Sequence, residues 1–143
     1  MSIVQIQGKR ATKQGKKFED IVASQLDVAG AKYERQVRLA NGSIFGKTKV
    51  IDFLITNSAR YPNGLYMEIK WQDSSGTAEE KIPYSVACIK KCYDLPTVLL
   101  LGGSGLTDGC ISWAISQKGG KLIEVMHEHD LTRFCMRNGF IKD

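Results

Sequence analysis

The sequence has few of the residues that mark membrane, secreted or fibrous proteins. It contains 3 prolines, 4 cysteines and 2 histidines in 143 residues. Its longest apolar run, residues 98–101, is far shorter than the ~20 residues that span a bilayer. The cysteines are scattered and residues 1–10 lack the apolar core of an export signal. We therefore expect reduced thiols and a cytoplasmic protein.

The chain carries an excess of positive charge. It has 20 Lys and Arg against 15 Asp and Glu, a net charge of +5. Hydrophobic residues make up 43% and charged residues 24%, which excludes a disordered chain, a collagen and a coiled coil. The length suits one domain, and a small basic domain is biased towards polyanions. Residues 1–17 hold five basic residues and no acid, so a solvated tail and a phosphate-binding arm over residues 1–13 both stay open.

Hydrophobic periodicity predicts the element order α-β-β-β-α-β-α-β-α. This order indicates an α/β fold, in the α+β sense of a mixed sheet flanked by helices. Short links between the first three strands favour an antiparallel meander. The predicted helices are 14–28, 83–93, 106–117 and 131–138, and the predicted strands are 32–39, 49–56, 65–71, 97–101 and 122–126.

The third predicted strand carries the most informative pattern. In residues 65–71, Glu68 and Lys70 share one face, about 6.6 to 6.8 Å apart along the strand. Asp52 lies in the preceding strand, between the apolar residues Ile51 and Phe53. Acids in apolar strands are costly unless they are paired or bind a metal. A charged pair on a solvated face is the alternative interpretation for an isolated Glu-x-Lys.

The first helix adds a third acid. Its predicted apolar stripe contains Phe18, Ile21, Val22, Leu26 and Ala29. Glu19 lies about 20° from Leu26 on the helical wheel. We expect Glu19 at the margin of the core and Asp20 in solvent. Two or three carboxylates around one point form a hard-oxygen site that suits Mg²⁺. A neighbouring lysine can orient a water or neutralise charge on a phosphate, so the set has the chemistry of phosphodiester hydrolysis.

These residues resemble the PD-(D/E)XK nuclease superfamily. Its pattern is a helix Glu, a strand Asp and a strand (D/E)-x-K, matched here by Glu19, Asp52 and Glu68-Ile69-Lys70 in the order α-β-β-β-α-β over about residues 14–102. The resemblance implies a restriction-endonuclease-like core with extra C-terminal α-β-α elements. Ile51 stands where many members have proline, a departure that other members share.

The resemblance also implies a role for each matching residue. Asp52, Glu68 and the backbone carbonyl of Ile69 would bind Mg²⁺, for which Mn²⁺ would substitute, and Lys70 would serve the attacking water. Glu19 matches an accessory acid, and Gln72 matches a residue that helps to hold the site in several branches. The segment 71–84, with Gly76, Lys81 and Pro83, is similar to restriction-type and phage-type members and would place the second helix over the site.

The substrate stays open within the resemblance. The first half of the chain is similar to phage Holliday-junction resolvases of the endonuclease I type, which also have a basic arm and an Asp-Phe-Leu strand. Some homing endonucleases share this core, so a phage- or mobile-element-encoded protein is also open. An endonuclease that cuts a specific duplex sequence is the alternative to a resolvase within the class of nucleases. A non-catalytic DNA-binding module on the same fold, or a basic subunit of a larger complex, is the rival from another class.

A nuclease of this kind requires contacts to the DNA backbone and, for two cuts, two active sites. A homodimer or higher oligomer is therefore implied by the chemistry. Basic residues supply the predicted phosphate contacts, in the N-terminal segment and around the strands. The candidates are Lys9, Arg10, Lys13, Lys16, Lys17, Arg35, Arg38, Lys47, Lys49 and Lys81.

Three further motifs favour structural interpretations. His127 and His129 have no zinc or HNH pattern around them, so we do not expect them to be ligands. Cys88 and Cys92 lie one helical turn apart and suit a packed core, in a predicted apolar stripe of the second helix that also contains Tyr84 and Leu95. The glycines at 102, 103 and 105 lack a phosphate-loop pattern and predict a turn.

Overall fold

The computed structural model describes residues 3–73 and 78–143, with side chains described from residue 15 onward. Its order of elements is the predicted α-β-β-β-α-β-α-β-α. A 3-10 turn, Glu128–Asp130, precedes the last helix. The elements are α1 (Ile3–Ala29), β1 (Tyr33–Leu39), β2 (Lys49–Ile55), β3 (Leu65–Trp71), α2 (Ala78–Cys92), β4 (Thr97–Gly102), α3 (Asp108–Ser116), β5 (Leu122–His127) and α4 (Leu131–Asn138).

The five strands form one mixed sheet in the order β1-β2-β3-β4-β5. The first three strands are antiparallel neighbours, which confirms the predicted meander. β4 then pairs parallel to β3, and β5 parallel to β4. Each parallel pair is joined through a helix, because a parallel connection has to cross back over the sheet. The mixed α/β fold is therefore confirmed.

Two apolar cores cover the two faces of the sheet. Phe18, Val22 and Leu26 of α1 join Leu131 and Cys135 of α4 against one face. Helices α2 and α3 cover the other face through Ile82, Val86, Ile89 and Ala114. The central strands β3 and β4 are consequently buried on both faces, as their burial patterns show. An ionic group on β3 is thus removed from bulk water by the architecture.

Two helices begin earlier than predicted. α1 starts at Ile3 and not at residue 14, since Gln, Lys, Arg and Ala are good helix formers and no proline interrupts them. The predicted arm 1–13 is thus helical from Ile3. Residues 1 and 2 lie outside the described residues, and the side chains of Lys9, Arg10 and Lys13 are not described. α2 starts at Ala78 and not at Pro83, because the side chain of Gln72 accepts a hydrogen bond from the Glu79 N–H at 2.6 Å.

Some core assignments are also corrected. Ile21 of α1 is exposed, and Ala23 is buried in its place. In α2, Cys88 is buried as predicted, together with Ile82, Val86 and Ile89. Tyr84 instead lies at the surface, where its ring stacks on Phe45. Along residues 3–73 and 78–143, no helix has the length and apolarity of a membrane span.

The glycine-rich turn after β4 packs directly on the end of β3. A Cβ on Gly103, whose φ is +88°, would lie 2.2 Å from the Gln72 carbonyl oxygen, and one on Gly105 would lie 1.5 Å from that of Asp73. The Gly105 N–H donates to the Gln72 carbonyl at 2.9 Å, and the Gln72 side-chain amide donates to the Gly105 carbonyl at 3.1 Å. The glycines therefore allow the backbone of this turn to contact the backbone that follows β3. This close packing explains the glycine-rich sequence without a bound phosphate.

We predict that Gly105→Ala destabilises the protein by about 3 kcal/mol or more, because its methyl group would collide with backbone. Gly109→Ala is the matched control, since the nearest atom to its Cβ lies 4.0 Å away. That change should leave stability the same or raise it by up to about 1 kcal/mol, because alanine is the better helix former. Urea unfolding monitored by circular dichroism measures both. Equal stability of the two variants would contradict the packing described for this turn.

Candidate active site

Strands β2 and β3 pair along part of their length and then separate. Regular pairing covers three residue pairs, from Ile55↔Leu65 to Phe53↔Met67. Beyond it, the Asp52 N–H donates to Glu68 Oε1 at 3.1 Å, and the Ile69 N–H donates to Asp52 Oδ2 at 2.9 Å. Each acid thus satisfies a backbone N–H of the opposite strand, and both carboxylates are fixed where the strands diverge.

Glu68 is buried and paired with a cation. Its exposed fraction is 1%, and its Oε2 accepts a hydrogen bond from Lys49 Nζ at 3.2 Å. The side chain of Lys49 is itself 16% exposed. A buried carboxylate without a partner is strongly unfavourable, so this contact accounts for the presence of Glu68 in the interior.

Asp52 differs from Glu68 because its partners carry no charge. Its two oxygens accept from the backbone N–H of Ile69 and, at 3.4 Å, from the side-chain amide of Gln36. Burial raises the pKa of Asp52 to about 6, and the charge of Glu68 contributes further. The Ile69 N–H and Lys70 oppose this shift of the pKa, while Glu19 adds to it. Among the described residues, Asp52 is thus a carboxylate with no direct cation partner.

Glu19 approaches the acids from helix α1. The ring of Phe18 packs against Trp71 with centroids 4.8 Å apart, which fixes this turn of α1 at the end of β3. Glu19 is half-buried and Asp20 exposed, as the helical periodicity predicts. Glu19 Oε1 accepts from Arg35 at 3.0 Å and from the amide of Gln36 at 2.9 Å. The charge of Glu19 is therefore balanced by Arg35.

Lys70 lies at the same end of β3 and is half-buried. Its charge lowers the pKa of Asp52, so the ammonium group is close enough to interact with that carboxylate. Within the described part of the chain, Lys70 makes no direct ion pair or hydrogen bond through its side chain. It differs in this from Lys49, whose ammonium group is engaged by Glu68.

Gln72 connects the start of α2 to the turn after β4, and among the described residues it forms no hydrogen bond with Asp52 or Glu68. It is buried and bridges the Glu79 N–H of α2 and the Gly105 carbonyl of the turn after β4. Lys81 lies on the exposed side of α2, close to the helix start that Gln72 fixes. Residues 74–77, which include Gly76 of the resembling segment, lie outside the described residues.

The predicted DNA-contacting residues fall into three groups. Lys16, Lys17, Arg38, Lys47 and Lys81 are exposed. Arg35 is bound to Glu19 and also to Asp20 at 2.7 Å, and Lys49 is bound to Glu68. For Lys9, Arg10 and Lys13 the side chains are outside the described set. Arg35 and Lys49 therefore act first as internal counter-ions.

Two residues near the acids had no signal in the sequence. Gln36 occupies a position in β1 that simple alternation assigns to solvent, yet its amide contacts both Glu19 and Asp52. Tyr93 follows α2, and its buried hydroxyl makes no well-formed hydrogen bond among the described residues. Burial and the neighbouring charge of Glu68 raise the pKa of Tyr93. Their positions depend on tertiary contacts, which no local pattern encodes.

The histidines set aside in the sequence do come close together. One donor atom each of His127, Glu128 and His129 lie within 4.8 Å of one another. Ligands on a single tetrahedral ion with bonds of 2.0–2.1 Å are about 3.3 Å apart. His127 Nδ1 also accepts a hydrogen bond from the His129 N–H at 3.3 Å. The arrangement is a local turn contact at the end of β5.

The donor set between β2 and β3 fits a divalent cation better. Asp52, Glu68 and the nearby Ile69 carbonyl offer hard oxygen ligands of the kind that Mg²⁺ prefers. Burial and, second, the charge of Glu68 raise the pKa of Asp52, so its ionised form is unfavourable where no cation contacts it directly. A cation beside Asp52 would remove this cost, so the residues present are suited to hold one.

The raised pKa of Asp52 makes stability depend on pH in metal-free protein. The pKa rises from an ordinary 3.8 to about 6, so the folded state binds this proton more tightly. The resulting stabilisation is present at low pH and is lost as the pH rises through the folded pKa. We predict that Asp52→Asn in EDTA increases the free energy of unfolding by about 1 to 3 kcal/mol near pH 8.

Near pH 4 the variant and the wild type should differ little, because Asp52 is then protonated in the folded wild type. Urea unfolding at the two pH values measures the difference. Asp20→Asn is the control, since it removes an exposed carboxylate that pairs with Arg35, and it should not increase stability. A lower stability of Asp52→Asn at alkaline pH would contradict the charge balance described here.

Comparisons with known proteins identify the fold and the family. The restriction endonuclease PspGI, solved in complex with substrate DNA, matches with a TM-score of 0.56 and 11% sequence identity. The match covers 93% of this chain and 64% of that chain, and it shows a shared fold. No curated protein matches the sequence. A family model described as a PD-(D/E)XK nuclease superfamily domain matches residues 10–138. This match includes Asp52, Glu68 and Lys70, and the chain belongs to the PD-(D/E)XK nuclease superfamily.

Proposed function

We propose that this protein is a Mg²⁺-dependent endodeoxyribonuclease that hydrolyses phosphodiester bonds. The observation that carries the proposal is the pair of carboxylates at the divergence of β2 and β3, where each binds a backbone N–H of the other strand. A decayed, purely DNA-binding relative would be expected to have lost an acid or the lysine, whereas Asp52, Glu68 and Lys70 are all present.

Different residues of the chain would bind the metal ion and orient the attacking water. Asp52, Glu68 and the Ile69 carbonyl would hold the divalent ion, which when bound polarises a phosphoryl oxygen and acidifies a water. Lys70 has no competing ion pair among the described residues, so its ammonium group is available to orient the attacking water and to offset phosphate charge. Glu19 accepts a hydrogen bond from Gln36 at 2.9 Å, and its charge raises the pKa of Asp52. As the water oxygen bonds to phosphorus, the water gives up one proton to solvent, the bond to the ester oxygen breaks, and that oxygen takes up one proton from solvent.

DNA is the polymer that the available observations favour. The net charge of +5 attracts a polyanion, and exposed lysines 16, 17, 47 and 81 are free of ion pairs among the described residues. The fold is shared with a restriction endonuclease bound to its substrate DNA. We infer that a homodimer or higher oligomer makes paired cuts, because one site hydrolyses one strand at a time.

We predict that Lys70→Ala lowers cleavage at least ~100-fold, the scale expected for losing a positioned acid–base group. DNA affinity should change little. The assay compares supercoiled plasmid, linear duplex and a four-way junction, each with Mg²⁺, Mn²⁺ and EDTA. A preference for the junction would assign a resolvase, and cutting at defined duplex positions would assign a site-specific endonuclease.

Lys91→Ala is the matched control, since Lys91 is an exposed lysine on α2. Its cleavage rate should equal that of the wild type. Undiminished cleavage by Lys70→Ala would remove Lys70 from the proposed mechanism. Binding of DNA by the wild type with no metal-dependent cleavage of any of the three substrates would favour the non-catalytic module.

A further inference from the structure

Gln36 has an unusual backbone conformation for a residue inside a strand. Its φ is +54°, in the left-handed region that residues with side chains seldom adopt. The other described residue with a side chain and a positive φ is Asn41, which lies in the turn after β1. Asparagine is tolerated in this conformation, whereas glutamine in a strand has no such preference. Surrounding contacts must therefore hold Gln36 in place.

The unusual conformation occurs directly opposite the acids. β1 pairs with β2 at Arg35↔Phe53 and again at Val37↔Ile51, and the intervening Gln36–Asp52 pair is skipped. The interruption therefore coincides with the position at which β2 also separates from β3. Asp52 thus lacks regular strand pairing on both sides, and its carboxylate is oriented by the Ile69 N–H and by the side chain of Gln36.

The Gln36 side chain connects two carboxylates. Its Nε2 donates to Glu19 Oε1 at 2.9 Å and approaches Asp52 Oδ1 at 3.4 Å. An amide nitrogen carries two hydrogens, so one group can serve both acceptors. Because the amide is neutral, it separates the acids without adding the positive charge that would compete with a cation. Asp52 Oδ2 is held independently by the Ile69 N–H.

We propose that Gln36 is a positioning residue that orients Asp52 for binding of the divalent ion. The inference rests on the proposed function, because it assumes that Asp52 is a metal ligand. In this role Gln36 acts through Asp52 and is not itself a ligand of the ion. It fixes the second oxygen of Asp52 and keeps Glu19 at hydrogen-bonding distance, and the left-handed backbone brings the amide to that position.

The test measures metal binding by the protein alone. Isothermal titration calorimetry with Mn²⁺, without DNA, compares wild type, Gln36→Met, Gln36→Gly, Asn41→Gly and Asp52→Asn. Gln36→Met keeps the length of the side chain without a donor, and Gln36→Gly removes the donor while relieving the backbone. Both should bind Mn²⁺ about 10- to 100-fold more weakly, the usual effect of losing a hydrogen bond to a metal ligand. Asn41→Gly, the backbone control, should bind as the wild type does.

The outcomes separate this inference from the proposed function. Wild-type affinity in both folded Gln36 variants, with binding abolished in Asp52→Asn, would overturn the role of Gln36 and leave the metal site intact. Weaker binding in Gln36→Gly alone would assign the effect to the backbone and also overturn it. An absence of Mn²⁺ binding by the wild type would overturn the proposed function itself. Circular dichroism establishes that each variant is folded.

Discussion

The exchange of backbone and carboxylate hydrogen bonds between β2 and β3 is the constraint on which the site depends. Two antiparallel strands normally satisfy their N–H groups through each other's carbonyls. Here Asp52 and Glu68 take over this task where the strands diverge, at 2.9 and 3.1 Å. The acids therefore have a structural reason to stay buried, and the opening between the strands is stabilised by the same groups that would bind a metal.

The surrounding architecture controls how negative this opening is. Helices cover both faces of β3, so Glu68 is withdrawn from water and requires Lys49. Arg35 balances Glu19 in a similar way on the other side. Asp52 receives hydrogen bonds from neutral donors alone among the described residues, and burial together with the charge of Glu68 raises its pKa. The protein thus pairs two of the three acids with its own cations, whereas Asp52 and Lys70 form no direct ion pair among the described residues.

Much of this arrangement was predictable because it depends on local periodicity. The limits of β3 and of α4 follow directly from their apolar patterns and from Gly139. The inward position of Glu19 follows from its spacing to Phe18 and Leu26. The order of Glu19, Asp52 and Glu68-x-Lys70 then sufficed to indicate the superfamily that the family match shows.

The rest depends on contacts between distant segments. The first turn of α2 is bound by Gln72, seven residues before its partner Glu79. Thr77 and Glu80 have the spacing of a capping box, but no local pattern indicates the contact with Gln72. Nothing in the local sequence distinguishes Lys49 from a surface lysine, so its pairing with Glu68 was not predictable from sequence. The left-handed Gln36 is more extreme, since its residue type argues against its conformation. Such positions are expected near functional sites, where tertiary contacts override local preference.

The decisive measurement is the position of a divalent ion bound to the protein. A crystal of the full chain grown with Mn²⁺ would show the ion by anomalous scattering. We expect the strongest anomalous peak within bonding distance of Asp52 and Glu68. The peak should be absent from crystals of Asp52→Asn. A peak at His127 and His129 with none at the two acids would contradict it.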